Sequence, residues 1–412
     1  MSQEVAERLA AVWRIEGPSV VATLTRVTRD VALAEDLASA AVLAALEQWP
    51  TEGVPRNPGA WLTAVAKRRA IDTWRREDRR RERYGQLAAV LPEATEPDWE
   101  PIPDDVLRLV FISCHPVLSR ASQVALTLRV VGGLSTTEIA RMLLTSVPTV
   151  QARITRAKRT LSAARVPFET PDPAEWSQRL AGVLGVVYLI FTEGYAATVG
   201  EQLVRPDLAR EALRLGRVLA ALVPTEPEAS ALVALMELQS ARFPARTDAT
   251  GAAVLLEDQD RRRWDHGQIR RGQAALAHAD RFGKGRGRYA LQAAIAQCHV
   301  VAPSVAATDW EQVVVLYEAL SRLAPNPVVE LNLAVAVAMA GRPEEALDLV
   351  EAVAAAGALR GSHLVPSVRG ELLGRLGRRK EAGAELLAAA QAATNAQVAR
   401  TLRVKAAELG AE

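Results

Sequence analysis

The sequence is poor in cysteine and in long apolar runs, and its net charge is small. Two cysteines in 412 residues cannot form a disulfide framework, which excludes the small disulfide-stabilised secreted proteins. The most apolar run, residues 180–191, is too short for a bilayer span, which needs about 20 residues. Because the net charge is only +2, a surface for nucleic acid must arise from local segregation of basic residues.

No pattern in the sequence predicts a metal, a cofactor or a catalytic centre. Cys114 with His115 and Cys298 with His299 lack the paired spacing of zinc ligands, and ARTDATG lacks the lysine of a phosphate loop. The carboxylates of LEDQDRRRWDH adjoin arginines, which favours a salt-bridged structural loop. The N-terminus carries acids where a signal peptide needs bases. We expect a cytoplasmic protein that is not an enzyme, binds no cofactor or metal and contacts no membrane.

Aromatic residues make up only 4% of the chain, whereas alanine and leucine, both strong helix formers, are abundant. This composition predicts an all-α fold. We expect two small helical domains, the second ending in a helix-turn-helix, followed by a large helical C-terminal domain. The predicted boundaries are 1–83 for the first domain, 84–105 for a linker, 106–167 for the second domain and 168–412 for the extension.

A helix-turn-helix is predicted between Leu134 and Leu161. Ser135 and Glu138 have the spacing of a capping box, and Pro148 suits the first turn of a second helix. Four apolar residues recur at helical spacing and predict a buried face: Val150, Ile154, Ala157 and Leu161. Six basic residues and no acid lie between residues 141 and 165, as major-groove binding requires. A helical hairpin with a solvated basic face is the alternative.

The first domain has three predicted helices, the second of which is expected to end at Pro50. From Lys67 to Arg83 there are nine basic and four acidic residues, next to Trp61 and Trp74. Such a run is either a solvated face with local ion pairs or a surface that binds nucleic acid through cations and stacking. The linker after it contains six acids and four prolines, which predicts an extended tether.

The segments ALAEDLASAAVLAALEQWP and NPGAWLTAVAKRRAIDTWRR resemble the second domain of bacterial sigma factors of the extracytoplasmic-function group. The resemblance implies that Glu35 and Asp36 contact the β′ clamp helices of core RNA polymerase. It also implies a loop and helix that open and bind the minus-ten promoter element. The residues implied are Arg56, Asn57, Trp61, Arg68, Asp72, Arg75 and Arg76. Ser39 and Ala40 depart from the usual Gln-Glu or Gln-Asp, and Arg68 replaces a common asparagine.

Residues 106–167 resemble the fourth domain of the same sigma factors, including the segments HPVLS and VVGGLSTTEIAR. The resemblance implies minus-thirty-five recognition by the second helix of the motif. It places Gln151, Ala152, Thr155 and Arg156 toward bases. It places Arg153, Lys158, Arg159 and Thr136 toward phosphates. The connector between the two domains is implied to thread the RNA exit channel of the polymerase, and the β subunit is implied as a further partner.

The extension resembles the C-terminal domain of a sigma subgroup with a tetratricopeptide-like tail. Repetition is visible independently from about residue 290. The segment beginning at Trp310 aligns with that at Pro343 at an offset of 33, and a further alignment has an offset of 36. Tetratricopeptide repeats have a period of about 34 residues and stack into a concave surface that binds proteins or peptides.

Three functions remain open at this point. The first is a sigma factor with a C-terminal regulatory or protein-interaction domain, whose partners are core RNA polymerase and promoter DNA. The second is a helix-turn-helix regulator or scaffold that no longer binds the polymerase, for which Ser39 and Ala40 are suggestive. The third, an enzyme housed in the extension, lacks any supporting motif.

Overall fold

The computed structural model describes residues 2–78, 103–143, 145–195, 204–248, 254–282, 285–357 and 359–410, with the side chains of 2–7, 72–78, 103–104 and 141 left out of the description. These residues form α-helices and short 3₁₀ turns with no β-strand among them, which confirms the predicted all-α class. The chain divides into two compact units, Met1–Val187 and Tyr188–Glu412.

The first unit contains two helical domains. The first helical domain consists of α1 (Ser2–Thr28), α2 (Val31–Glu52) and α3 (Pro58–Asp78). The second helical domain consists of α4 (Pro103–Ser113), α5 (Arg120–Val130), α6 (Thr136–Met142) and α7 (Val147–Ala163). Helix α8 (Trp176–Tyr195) follows, and the boundary between the two units falls within it.

The second unit continues with ten further helices among the described residues. They are α9 (Pro206–Leu222), α10 (Pro227–Ser240), α11 (His266–Arg281), α12 (Arg288–Val301), α13 (Trp310–Leu323), α14 (Pro327–Met339), α15 (Pro343–Ala356), α16 (Leu364–Arg375), α17 (Arg379–Ala392) and α18 (Ala396–Glu408). No helix in the described ranges is both long and apolar enough to cross a membrane.

Helix α2 differs from the prediction at its C-terminal end. Its start is fixed by Asp30, whose Oδ1 accepts hydrogen bonds from the N–H groups of Ala32 at 2.7 Å and Leu33 at 3.2 Å. The predicted end at Pro50 is wrong, because the helix continues to Glu52. It ends at Gly53, where φ is 83° and the N–H donates to the Trp49 carbonyl at 3.0 Å. Pro50 has no N–H to donate, so its cost to the helix is one hydrogen bond and a close approach to the preceding turn.

The helix-turn-helix has the local structure that its sequence predicts. The Ser135 N–H donates to Glu138 Oε2 at 2.8 Å, and the Glu138 N–H donates back to Ser135 Oγ at 3.2 Å, forming a capping box. Ser146 caps α7 by accepting from the Thr149 N–H at 3.2 Å, and Pro148 lies in its first turn. These two caps fix the starts of α6 and α7 without any contact to DNA.

The predicted linker, residues 84–105, lies outside the described residues as far as 102, but its end needs correction. Asp105 belongs to helix α4 and is 1% exposed. Its carboxylate pairs with Arg26 at 3.0 Å and with Arg108 at 2.7 Å. A buried carboxylate needs such partners. Because Arg26 is far from Asp105 in the sequence, the local sequence shows only that Asp105 is acidic, not that it is buried and paired.

The predicted boundary of the extension stays a prediction. The sequence places it at residue 168, but the first compact unit runs to Val187. The start of α8 contacts the second helical domain, because Trp176 lies 5.2 Å from Phe111 between ring centroids. Arg179 also donates to the Phe111 carbonyl at 3.4 Å.

The end of the second unit consists of consecutive helix pairs. Helices begin at Trp310, Pro343 and Arg379, which reproduces the offsets of 33 and 36 residues seen in the sequence. Each is followed by a second helix, and neighbouring helices pack closely where residues are small. A Cβ at Gly370 would lie 2.8 Å from Leu386 Cγ, so only glycine fits where α16 crosses α17.

Asp260 and Asp265 of the carboxylate-rich segment LEDQDRRRWDH make local structural contacts. Asp260 pairs with Arg262 at 3.1 Å, and Asp265 caps α11 by accepting from the Gln268 N–H at 2.9 Å. Arg261 lies 4.4 Å from the ring of Trp264 and donates to a carbonyl of α12. Among the described residues no group of three His, Cys, Asp or Glu side chains could hold a metal ion.

His299 makes the stability of the second unit depend on pH. Burial, together with the charges of Arg242 and Arg261, lowers the pKa of His299 to about 4. Between an ordinary histidine pKa of 6.5 and about 4, the unfolded state binds more protons, so stability falls as pH falls through this window. We predict that from pH 7.5 to 5.5 the wild type loses on the order of 1 kcal/mol more than His299→Gln.

Urea unfolding of the wild type and His299→Gln at the two pH values measures this difference. His266→Gln, which removes an exposed imidazole, is the matched control and should behave as the wild type does. An equal pH slope for the wild type and His299→Gln would contradict the prediction.

Candidate nucleic-acid interface

Helix α7 has one buried face and one exposed face. The four apolar residues predicted to be buried are so, with Val150 and Ala157 at 0% exposure. The side chains predicted to face bases are all exposed: Gln151, Ala152, Thr155 and Arg156. This side of the helix carries amide, hydroxyl and guanidinium groups, the groups that hydrogen-bond base edges in a major groove.

The predicted phosphate-binding residues separate into three environments. Arg159 is exposed beside the base-facing side chains, whereas Arg153 and Thr136 are partly buried. Lys158 is different, because its side chain is only 13% exposed. Its Nζ donates to Glu35 Oε2 at 2.5 Å and to Asp36 Oδ1 at 3.1 Å. Lys158 therefore contacts the first helical domain and does not face solvent as a phosphate ligand would.

The predicted minus-ten residues are described only in part. Arg56 and Asn57 are exposed in the loop before α3, and Asn57 Oδ1 accepts from the Ala60 N–H at 3.0 Å, which fixes the start of that helix. Trp61 is partly buried and packs edge-on against Trp49, with ring centroids 5.5 Å apart. Arg68 is exposed on α3. Asp72, Arg75 and Arg76 lie in the same helix, but their side chains are outside the described residues.

Glu35, predicted to contact polymerase, is bound within the chain. Its residue exposure is 8%, and each carboxylate oxygen has its own cation. Arg129 Nε and Nη2 donate to Oε1 at 2.8 and 2.5 Å, while Lys158 binds Oε2. Ser39 donates to Oε1 at 3.0 Å and accepts from Arg129 at 3.1 Å, so the unusual serine of this helix belongs to the same network. We call Glu35, Ser39, Arg129 and Lys158 the interdomain ion cluster.

The electrostatics of the cluster favour the charged form of Glu35. Burial by itself raises the pKa of this carboxyl, but the charges of Arg129 and Lys158 and their hydrogen bonds outweigh burial, so the pKa lies below its ordinary value. Asp36, the adjacent acid, remains 72% exposed at its side chain. The two acids assigned to one partner by resemblance thus differ sharply in accessibility.

Sequence reasoning missed Arg129. It lies on α5, in a helix with no DNA-binding pattern, and is separated from Glu35 by 94 residues. The local indication of its role is that Arg129 is a charged residue in a largely buried helix, where a charge requires a partner. Arg129 also donates to the Leu134 carbonyl at 3.0 Å, which ties the cluster to the start of the helix-turn-helix.

Two more ion pairs connect the helical domains. Arg14 of α1 pairs with Glu138 of α6 at 2.8 Å, and Arg26 of α1 pairs with the buried Asp105 of α4. A cavity of about 430 Å³ lies along the same contact and includes Arg29, Lys158 and Arg165 in its lining. The second helical domain is therefore docked onto α1 and α2 through charged contacts at three places.

Comparison with known proteins gives these domains a family. Sigma-70 region 2 matches residues 13–80, and sigma-70 region 4 matches residues 108–161. A family of unknown function (DUF6596) matches residues 179–280. The first two matches coincide with the first and second helical domains, and the third covers the start of the second unit.

Two curated proteins are similar to this chain. An uncharacterized protein, R00370 of Rhizobium meliloti (strain 1021), is 43% identical over 407 residues, covering 96% of this chain and 94% of that protein. The ECF RNA polymerase sigma factor SigK of Mycobacterium ulcerans (strain Agy99) is 30% identical over 149 residues, covering 34% of this chain and 77% of that protein.

The chain belongs to the sigma-70 family, in the extracytoplasmic-function group, which confirms the resemblance inferred from the sequence. Its function is of the sigma-factor type. The similarity to R00370 spans nearly the whole chain, so the extension is shared with that protein.

Proposed function

We propose that this protein is an RNA polymerase sigma factor that directs initiation at promoters with two elements. The observation that supports it most is the exposed face of α7. Gln151, Thr155 and Arg156 lie on it, opposite the buried Val150 and Ile154. In this proposal α7 reads the minus-thirty-five element, while the loop at Arg56 to Gly59 and helix α3 read the minus-ten element. The protein binds and positions, and it catalyses nothing itself.

The proposed protein partner is core RNA polymerase. Glu35 and Asp36 of α2 are assigned to the β′ clamp helices, and the second helical domain is assigned to the β subunit. Ser39 and Ala40 replace residues usual at this face, so the contact there is weaker or is carried by other residues. A carboxylate pair on a helix suits basic side chains of a partner, because charge-assisted hydrogen bonds are the stronger ones.

Run-off transcription with core polymerase and the promoters neighbouring the gene tests this function. We expect specific transcripts that require the protein, and co-purification of the protein with core polymerase. The absence of transcripts together with no polymerase binding would contradict the proposal. That result would favour the alternative, a helix-turn-helix regulator or scaffold that does not bind polymerase. The occupation of Glu35 by Arg129 and Lys158 is the observation on which this alternative rests.

Arg156 and Arg159 should have separable roles in DNA binding, although both are exposed on α7. Arg156→Ala should weaken binding to the preferred minus-thirty-five sequence by roughly 1–3 kcal/mol and relax specificity at one base position. Arg159→Ala should weaken binding to all sequences about equally. It should also reduce the slope of the logarithm of the binding constant against the logarithm of salt concentration by about 1. Competition binding of the holoenzyme to promoter variants at several salt concentrations measures both effects. An unchanged sequence preference in Arg156→Ala would show that the assigned register of α7 is wrong.

We further propose that the second unit is a protein-interaction domain of tetratricopeptide type that sigma activity requires. Its helix pairs recur at 33 and 36 residues, close to the period of such repeats. A cavity of about 700 Å³ lies beside them, and its lining includes Glu257 and Asp258 as well as Arg375, Arg400 and Lys405. A peptide carrying both charges suits such a lining.

Truncation tests whether the second unit is required. A chain ending at Val187 keeps the first unit but interrupts α8 inside a continuous helix, not at a flexible tether. We expect it to lose most transcripts in the run-off assay while its helical content per residue stays the same by circular dichroism. Higher activity than the full chain would instead mean that the second unit inhibits.

A further inference from the structure

The interdomain ion cluster occupies two residues that the proposed function requires elsewhere. Glu35 is needed for core polymerase, yet both of its oxygens are bound by cations of the second helical domain at 2.5 Å. Lys158 is needed for DNA phosphate, yet its side chain is 13% exposed and contacts Glu35 and Asp36. One contact thus keeps the acid assigned to polymerase and the lysine assigned to DNA from reaching those partners.

We propose that the second helical domain competes with core polymerase for the acidic face of α2, and that the interdomain ion cluster holds the free protein in a closed state. This inference rests on the proposed sigma-factor function. In the closed state Arg129 and Lys158 take the place of basic side chains of the polymerase. Opening exposes Glu35 for polymerase and Lys158 for promoter DNA in the same step.

The charges around the cluster make this exchange feasible. Glu35 is buried in the closed state and needs the cations Arg129 and Lys158 there, so removing a cation weakens the closed state. A basic partner that binds the exposed acid stabilises the open state. Asp36 is 72% exposed and loses little on opening, which makes it suited to the first encounter with such a partner. Salt weakens the exposed pair more than the buried pair.

The closed state also makes polymerase and DNA binding cooperative. Because a single opening step exposes sites for both ligands, each ligand raises the apparent affinity for the other by the same factor. The exposed residues of α7 that are assigned to bases stay accessible when the domains are closed. The closed state therefore mainly blocks binding to the polymerase. The free protein is thereby kept from forming its full set of promoter contacts until it joins the enzyme.

Arg129→Gln is the informative variant, because Arg129 is assigned to neither polymerase nor DNA. It removes the cation at Oε1 of Glu35 and leaves the acids of α2 and the cations of α7 in place. Arg120→Gln is the matched control. Arg120 lies on the same helix, and its guanidinium donates to Gln123 Oε1 within that helix at 3.2 Å.

Two measurements on the full chain test the proposal. Spin labels at Glu47→Cys and Ala163→Cys, both exposed positions, report the distance between the helical domains in a Cys298→Ser background. We expect one short distance in the wild type and in Arg120→Gln, and a longer, broader distribution in Arg129→Gln. Affinity for core polymerase should rise roughly tenfold in Arg129→Gln and remain unchanged in Arg120→Gln, since apparent affinity scales with the open fraction.

Glu35→Gln provides a second variant with a distinct signature. It should lengthen the distance as Arg129→Gln does, but weaken polymerase binding, because the acid itself is lost. Matching distance distributions in the wild type, Arg129→Gln and Glu35→Gln would overturn the closed state. Longer distances with unchanged polymerase affinity in Arg129→Gln would overturn the competition. If no variant binds polymerase, the proposed function fails, whereas the distances still decide whether the cluster closes the domains.

Discussion

The carboxylate of Glu35 is the constraint around which the first unit is arranged. At 8% exposure it is nearly removed from water, and it stays charged because two cations from another domain bind it. Removing one partner of such a pair leaves a buried charge and costs about 3–5 kcal/mol. The docking of the two helical domains is therefore tied to the ionisation of Glu35 and also of Asp105, whose buried carboxylate pairs with Arg26. The more exposed pair of Arg14 and Glu138 contributes less.

Basic residues are concentrated on α7 and α3, although the net charge of the chain is only +2. In the proposed function these two helices bind the two promoter elements together on the polymerase. The interdomain ion cluster adds a second restraint, since Lys158 is neutralised by Glu35 and Asp36. Of the cations predicted to bind DNA, Arg156 and Arg159 are exposed on α7, whereas Lys158 is held by the cluster.

Local features of the fold could be predicted, and contacts between distant residues could not. The capping box of Ser135 and Glu138 and the buried face of α7 follow from spacing within one or two helical turns. The roles of Asp105 and Lys158 follow from partners far away in sequence, Arg26 and Glu35. A residue pattern can show that a lysine lies on a basic helix, but not that another domain covers it.

In the candidate site, too, local features could be predicted and contacts between distant residues could not. The base-facing positions of α7 are exposed as expected, because helical periodicity alone determines which side is buried. The assignment of Glu35 and Asp36 to the polymerase stays a prediction from resemblance, and their unequal exposure depends on Arg129, which no local pattern marks. The repeats of the second unit were visible because a period of about 34 residues is itself a sequence signal.

A double-mutant cycle on the closed fraction tests the central claim most directly. The closed fraction, taken from the interdomain distance distribution, is measured in the wild type, Glu35→Gln, Arg129→Gln and the double variant. The account predicts that the double variant opens no further than either single variant, with a coupling free energy on the order of 1–3 kcal/mol. Independent, additive opening by the two substitutions would contradict the account.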